Sequence, residues 1–271
     1  TRCHPNLDPE VADTITPGVV FQPRFIPRLA ITVDWFDIQI DSAIQGVGQD
    51  TILAVCTDTA NPTFCNLITR DQFGSLWRTS NGFVQDLQQN IGSFSTRGID
   101  VQASYSMELG GMGGLSFSVV GTWLGELVID NGVSGPHNCV GFFGNQCLVA
   151  AAKWRHTARL NWSHPDGYGL SLRWRHFGSV RQDTTSANPS LNGASMPVHE
   201  RLPDQNYIDL TASFRIGDHY AFRLGVNNIF DREPPLVGAQ ACPAGPCNGN
   251  TWSQVYDALG RYIFAGVTLD F

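Results

Sequence analysis

Arg-Tyr-Ile-Phe-Ala-Gly-Val-Thr-Leu-Asp-Phe, residues 261 to 271, carries apolar side chains at every second position, Ile263, Ala265, Val267 and Leu269, and closes on Phe271. In an extended chain successive side chains point to opposite faces. One face of this segment is therefore an apolar row, and the other carries Tyr262, Phe264, Gly266, Thr268 and Asp270. The first face suits lipid and the second a wet lumen, so the segment reads as a membrane β-strand.

The same alternation recurs upstream, and recurrence is what gives it weight, since one barrel strand is a weak signal by itself. Residues 97 to 107 set Ile99, Val101, Ala103, Tyr105 and Met107 against Gly98, Asp100, Gln102, Ser104 and Ser106. Residues 115 to 123, 154 to 163, 168 to 176, 207 to 216 and 220 to 228 repeat it at about the 9 to 11 residues of a tilted spanning strand. Two less regular segments, 11 to 22 and 28 to 41, complete nine expected strands. In the second the phase slips at Trp35 and Phe36, which predicts a bulge or the membrane boundary.

Connection lengths separate a membrane barrel from a sandwich better than the strands do. Short turns are expected at 23 to 27, 109 to 114, 164 to 167 and 217 to 219, and long excursions at 45 to 90, 131 to 152, 183 to 204 and 232 to 258. Every other connection is long, as in barrels with short periplasmic turns and extended outer loops. Trp123, Trp154, Trp162, Tyr168, Trp174 and Tyr220 sit near strand ends, where interfacial aromatic girdles lie. The fold expected is all-β: an antiparallel transmembrane β-barrel portion of about nine strands with long extracellular loops.

The cysteines respect this topology. Cys56 and Cys65 fall in the first long loop, Cys139 and Cys147 in the second, Cys242 and Cys247 in the fourth, and Cys3 precedes the first strand, all on one side if strand direction alternates. Local pairs in outer loops read as disulfides, which persist in an oxidising compartment. Cys3 is left without a local partner. A metal clip at Cys242 to Cys247 would need a tighter spacing and a second Cys/His pair nearby, and a redox dithiol would need Cys-x-x-Cys. No metal or cofactor is expected.

Composition excludes more than it identifies. With 42% apolar and 15% charged residues the chain resembles many soluble all-β proteins. No stretch approaches the roughly 18 consecutive apolar residues of a spanning helix, so a membrane crossing must use a closed sheet. The net charge of −7 argues against a nucleic-acid partner. The chain opens Thr-Arg-Cys-His-Pro without an initiating Met or the basic and apolar regions of a secretion signal, which fits the C-terminal fragment of a longer protein. Leu109 to Gly114 is Gly-rich but joins two strands, so it reads as a hairpin turn rather than a phosphate cradle. Asn227, Asn228 and Asp231 read as closing backbone hydrogen bonds at a strand exit. The seven His are scattered, with His156 and His176 on lipid-facing rows near strand ends rather than in a cluster. No catalytic constellation emerges, and an enzyme is not expected.

Three places resemble the TonB-dependent outer-membrane receptors. Pro5-Asn6-Leu7-Asp8-Pro9-Glu10 is similar to an element that precedes a late barrel strand in that family, with His4 where an Asn is usual. Leu224 to Asp231 resembles the family's penultimate-strand motif, and Gly260 to Phe271 its last strand. Within the last strand, Gly266, Leu269 and Phe271 resemble the signal read by the barrel assembly machinery, with Phe264 where a polar residue is usual. The resemblance implies that residues 1–271 are the C-terminal portion of a plugged barrel of about 22 strands whose N-terminal plug lies outside this sequence. It also implies a bacterial outer-membrane location, contact with outer-membrane lipid, and a TonB complex that relays energy for uptake of a small scarce nutrient, a ferric siderophore or an oligosaccharide. The alternatives are a secreted all-β carbohydrate-binding module and a simple porin.

Strand parity places Arg155, Arg159, Arg173, Arg175, Arg215 and Arg223 on the inward face of four successive strands. Such a wall has two readings. The arginines pair with inward Asp209 and with acidic groups of the implied plug, because a buried cation must find a partner; or they also guide an anionic ligand.

Overall fold

The computed structural model describes residues 7–269 apart from 134, 196, 198, 199, 218, 239, 240, 244 and 246. Cys3, His4, Pro5, Asn6 and the Phe271 of the expected assembly signal lie outside the described residues. The strands are β1 (Val11–Ile15), β2 (Gly18–Phe21), β3 (Leu29–Gln45), β4 (Ile68–Thr69), β5 (Phe83–Val84), β6 (Gln89–Glu108), β7 (Gly114–Asp130), β8 (His137–Asn138) and β9 (Phe142–Phe143). They continue with β10 (Trp154–Ser163), β11 (Tyr168–Phe177), β12 (Val180–Gln182), β13 (Arg201–Leu202), β14 (Gln205–Ile216), β15 (Tyr220–Asn227) and β16 (Tyr262–Leu269). Two helices, α1 (Gln49–Thr59) and α2 (Pro62–Cys65), lie between β3 and β4.

One hydrogen-bonded path runs β1-β3-β6-β7-β10-β11-β14-β15-β16, with β2 also on β3 and β8 also on β7. The register joins the separate apolar rows into one band: Leu160 opposes Leu172, Leu172 opposes Leu210, Leu210 opposes Val226, and Val226 opposes Ile263. Opposed residues share a face. Leu160, Leu172, Leu224 and Ile263 stay 39 to 71% exposed, as a row does that faces lipid rather than protein.

Several expected elements differ from the observed ones. The expected strand 11 to 22 divides at residues 16 and 17, where Pro17 has no N–H for a ladder. Its carbonyl accepts from the Trp35 amide at 2.9 Å, so the break lies opposite the phase slip read in β3. β6 and β7 run to 20 and 17 residues. At about 3.3 Å per residue, 20 residues span about 66 Å, roughly twice the hydrocarbon thickness. The extra length of β6 therefore stands outside the lipid-facing row, where no apolar alternation is required.

The Cα positions form two compact units. The first holds the described part of Thr1–Thr14 with Ile38–Ser95 and Val128–Asn138. Its helices were not expected. α1 starts with Asp50 in its first turn and ends on Ala60 in the left-handed region, whose amide donates to Cys56 O. α2 has Pro62 in its first turn and an Asn61 side chain that accepts from the Thr63 amide. Cys56 and Cys65 are disulfide-bonded across the helix pair, 4.9 Å apart at Cα, and Ile52 of α1 is fully buried.

The second unit holds Ile15–Asp37, Thr96–Leu127 and Cys139–Phe271. Its long connections are not open excursions. Phe143, Phe177, Val180, Leu202, Val237, Trp252 and Tyr256 form one buried cluster. Trp252 has no exposed surface, stacks edge-on against Phe143 at 5.1 Å, and donates its indole N–H to Leu148 O at 2.8 Å. A small sheet, β13-β12-β9, and disulfides Cys139–Cys147 and Cys242–Cys247 brace these segments.

Candidate functional site

The packed loops identify the inner face of the sheet. Phe177 meets Tyr256 edge-on at 5.3 Å, and Arg175 reaches Asp257 at 2.7 Å, both loop residues beyond β15. Phe177 and Arg175 share a parity with Arg173, opposite to that of Leu172 and Trp174. The loops thus lie over the arginine-bearing face, and the apolar band is on the other.

On that inner face a carboxylate gathers two of the expected arginines. Asp209 of β14, its side chain only 3% exposed, opposes Arg173 of β11 in the register. Arg173 Nε donates to Asp209 Oδ2 at 2.6 Å. Arg175 donates Nε and Nη2 to the two oxygens of Asp209 at 2.9 Å each, a planar fork on a carboxylate. The Asn228 amide adds a 2.8 Å bond to Oδ1. Arg175 Nη2 also donates to Asp257, and its guanidinium lies 4.9 Å from the Tyr207 ring. The Asp257 amide in turn donates to the Tyr207 hydroxyl at 3.3 Å. The arrangement fixes the loop to the barrel wall through four charges that sum to zero.

The other inward arginines are placed differently. Arg159 donates to Ser171 Oγ at 3.2 Å, and Arg223 lies 5.6 Å from the centre of the Phe264 ring. Among the described residues no acidic side chain forms an ion pair with Arg155, Arg159 or Arg223. Arg159, Arg173, Asp209, Arg223, Asn227 and Phe264 line one cavity of about 510 Å³. Phe264 fits there because its β15 neighbour is Gly225, where a Cβ would lie 2.3 Å from the ring. Arg215 is not brought to this group: it sits exposed near the short turn at Gly167, the end of the sheet away from the loops.

Asn228 and Asp231 close backbone at the exit of β15. Asn228, 1% exposed and at φ 51°, exchanges bonds of 2.9 Å with the Arg232 amide and carbonyl. Asp231, at φ 53°, accepts from the amide and guanidinium of Arg261 at 2.8 and 3.1 Å. Those bonds hold its carboxyl below the ordinary carboxylate range, the Arg261 amide contributing most. Sequence reading passed over Tyr207 and Asp257; neither belongs to a motif, and their relation arises only when the loop folds back on β14. It also read His156 and His176 as separate, whereas neighbouring strands stack the two rings at 5.0 Å. The cross-strand register, invisible in a single strand, brings them together.

A barrel sheet with an outward apolar band, an inward polar wall and long structured loops at one end defines an outer-membrane barrel protein. Residues 4–229 match the family described as TonB dependent receptor-like, beta-barrel, and the chain belongs to that family. Among solved structures it is similar to the ferric enterobactin receptor PfeA of Pseudomonas aeruginosa (G324V mutant), at 12% identity and a TM-score of 0.59, over 97% of this chain and 31% of that one. It is likewise similar to the siderophore receptor PirA of Acinetobacter baumannii, at 14% and 0.58 over 98% and 32%, and to the FrpB iron transporter of Neisseria meningitidis, at 16% and 0.56 over 98% and 31%. These likenesses establish the fold. The chain spans about a third of the length of each of these proteins. No curated protein matches the sequence.

Proposed function

We propose that this chain is the C-terminal barrel wall of an outer-membrane receptor that imports an anionic ferric chelate with energy relayed by TonB. The observation that carries the ligand class is the surplus of cations on the inner face of β10, β11, β14 and β15. Arg173 and Arg175 are matched by Asp209 and Asp257, but Arg155, Arg159 and Arg223 have no acidic partner among the described residues. A one-signed polar cleft raises the local concentration of an oppositely charged solute. The family supplies transport as the setting, and similar structures described as siderophore receptors support an iron chelate as the cargo.

The two arginine classes give a direct test in the full-length receptor. Arg155→Gln with Arg159→Gln is expected to lower uptake of ferric enterobactin, used as the probe, about tenfold at low salt and less at high salt, with little change in melting temperature. Arg173→Gln is expected to lower the melting temperature first, because it strips a buried carboxylate of a partner. Unchanged uptake in the first variant across ionic strengths would eliminate the guiding role.

A further inference from the structure

On the outward face, at the end of the sheet from which the long loops emerge, His156, His176 and Asn206 stand among the girdle tryptophans Trp154 and Trp174 and form with them one polar and aromatic cluster. The register opposes His156 to His176 and His176 to Asn206, while Trp154 opposes Trp123 and Trp174 opposes both Ala158 and Ile208. Two residues further along each of β10 and β11 the same face continues as apolar positions and reaches Leu160 and Leu172. The cluster therefore sits at the outer edge of the apolar band, where hydrocarbon gives way to headgroups.

Its hydrogen bonds fix which ring nitrogens carry protons. Trp154 donates its indole N–H to His156 Nδ1 at 2.9 Å, which leaves the proton of neutral His156 on Nε2. Asn206 Oδ1 receives the Trp174 indole N–H at 2.9 Å and faces His176 Nδ1 at 2.9 Å, while Asn206 Nδ2 donates to Asp204 at 3.1 Å. An amide oxygen can only accept, so His176 donates from Nδ1, and its neutral ring offers a lone pair at Nε2. The two imidazoles, inclined by 22°, present a donor beside an acceptor, and neither Nε2 has a hydrogen-bond partner among the described residues. The cluster is sterically prepared: Gly121 opposes His156, and a Cβ there would lie 2.5 Å from the Trp154 ring, so only glycine lets that indole lie flat across β7.

Hydrocarbon cannot satisfy a donor and an acceptor, and leaving both unmet is costly. The geometry points to a headgroup site: the Nε2 atoms of His156 and His176, held in place by Asn206 and walled by the Trp154 and Trp174 rings, receive the sugar headgroup of an outer-leaflet glycolipid. A sugar hydroxyl both donates and accepts, which matches the Nε2 pair, and the flat faces of Trp rings suit the C–H surface of a pyranose. The continuity of the cluster with the lipid-facing band makes a membrane lipid, rather than a free sugar, the occupant.

The test uses the full-length receptor reconstituted in phosphatidylcholine vesicles doped with either lipopolysaccharide or phosphatidylglycerol, with bound lipid read by native mass spectrometry after extraction. Replacing both rings, His156→Phe with His176→Phe, keeps aromatic bulk and removes the donor and acceptor; it is expected to weaken retention of lipopolysaccharide about tenfold and to leave phosphatidylglycerol unchanged. The double variant His156→Gln with His176→Gln, which restores a donor and an acceptor, is expected to recover most of that retention and keeps the test decisive if the phenylalanine pair fails to fold. Equal retention of lipopolysaccharide by a folded Phe/Phe receptor, or loss of both lipids to the same degree, would overturn the site.

Discussion

Asp209 shows how much one carboxylate can organise. It accepts from two arginines and one backbone amide while almost wholly buried. Asp209→Asn leaves the Arg173 guanidinium without its counter-charge and Arg175 with Asp257 alone, and is expected to destabilise the receptor by about 3 kcal/mol. Thermal unfolding of the purified protein reads that loss, and a melting temperature equal to that of the parent would show that another acid takes over. The close approach at Gly225 gives a second residue-scale expectation. Gly225→Ala must displace the Phe264 ring and cost about 1 to 3 kcal/mol. Because the cost lies in that one contact, Phe264→Ala in the same chain should return most of it, and additive penalties would refute the coupling. Nothing in the stretch Leu224 to Asp231 reveals this pairing to a reader of sequence; parity shows that Phe264 points inward, but not that it rests on a glycine of the preceding strand.

Between β15 and β16 the chain leaves the sheet at Asn227 and returns at Tyr262, and the Asp231 to Arg261 contact clasps the two ends of that excursion. Since the folded state holds Asp231 below its ordinary value of 3.8, the clasp contributes above the unfolded pKa and is lost as pH falls through the lower folded one. The protection factor of the Arg261 amide, its exchange relative to the intrinsic rate at each pH, should accordingly fall in acid, and Asp231→Asn should flatten that dependence; an unaltered profile in the variant would assign it to another group. The loop disulfides, spaced 9, 8 and 5 residues apart in sequence, close small rings, and small rings remove little chain entropy. Non-reducing peptide maps are expected to return three local links, and mild reduction should loosen loop tips while the barrel sheet persists. At this scale legibility followed the solvent. The alternation gives the bounds of β10 and all of β11 but Phe177, because lipid demands apolar residues on one face along the whole span. α1 went unread because Thr-Ile-Leu-Ala-Val-Cys is too short a run to show a period, and the Trp252 cluster because Phe143 and Trp252 are 109 residues apart in the chain.

The family and the nine-strand path together define a piece of a larger wall, in which β1 and β16 each have a single neighbour along the path. A strand edge cannot remain unpaired in hydrocarbon. Expressed by itself, the segment is therefore expected to aggregate or to require denaturant, and a heat-modifiable, protease-resistant band from it alone would contradict this. A proposed role for the terminal Phe271 belongs at the same level: its deletion from the full-length receptor should lower surface abundance far more than stability, since one aromatic side chain is worth about 1.5 to 3 kcal/mol. Equal surface levels would count against recognition by the assembly machinery. The buried loop cluster also bears on kinetics. Peeling the segment that carries Trp252 and Tyr256 off the wall would hydrate two large rings at about 5 kcal/mol, which leaves such a state populated on the order of once in several thousand molecules. The loop segment that carries Trp252 and Tyr256 is thus a fixed part of the wall at rest, and a movement that needs it to lift away would be rare.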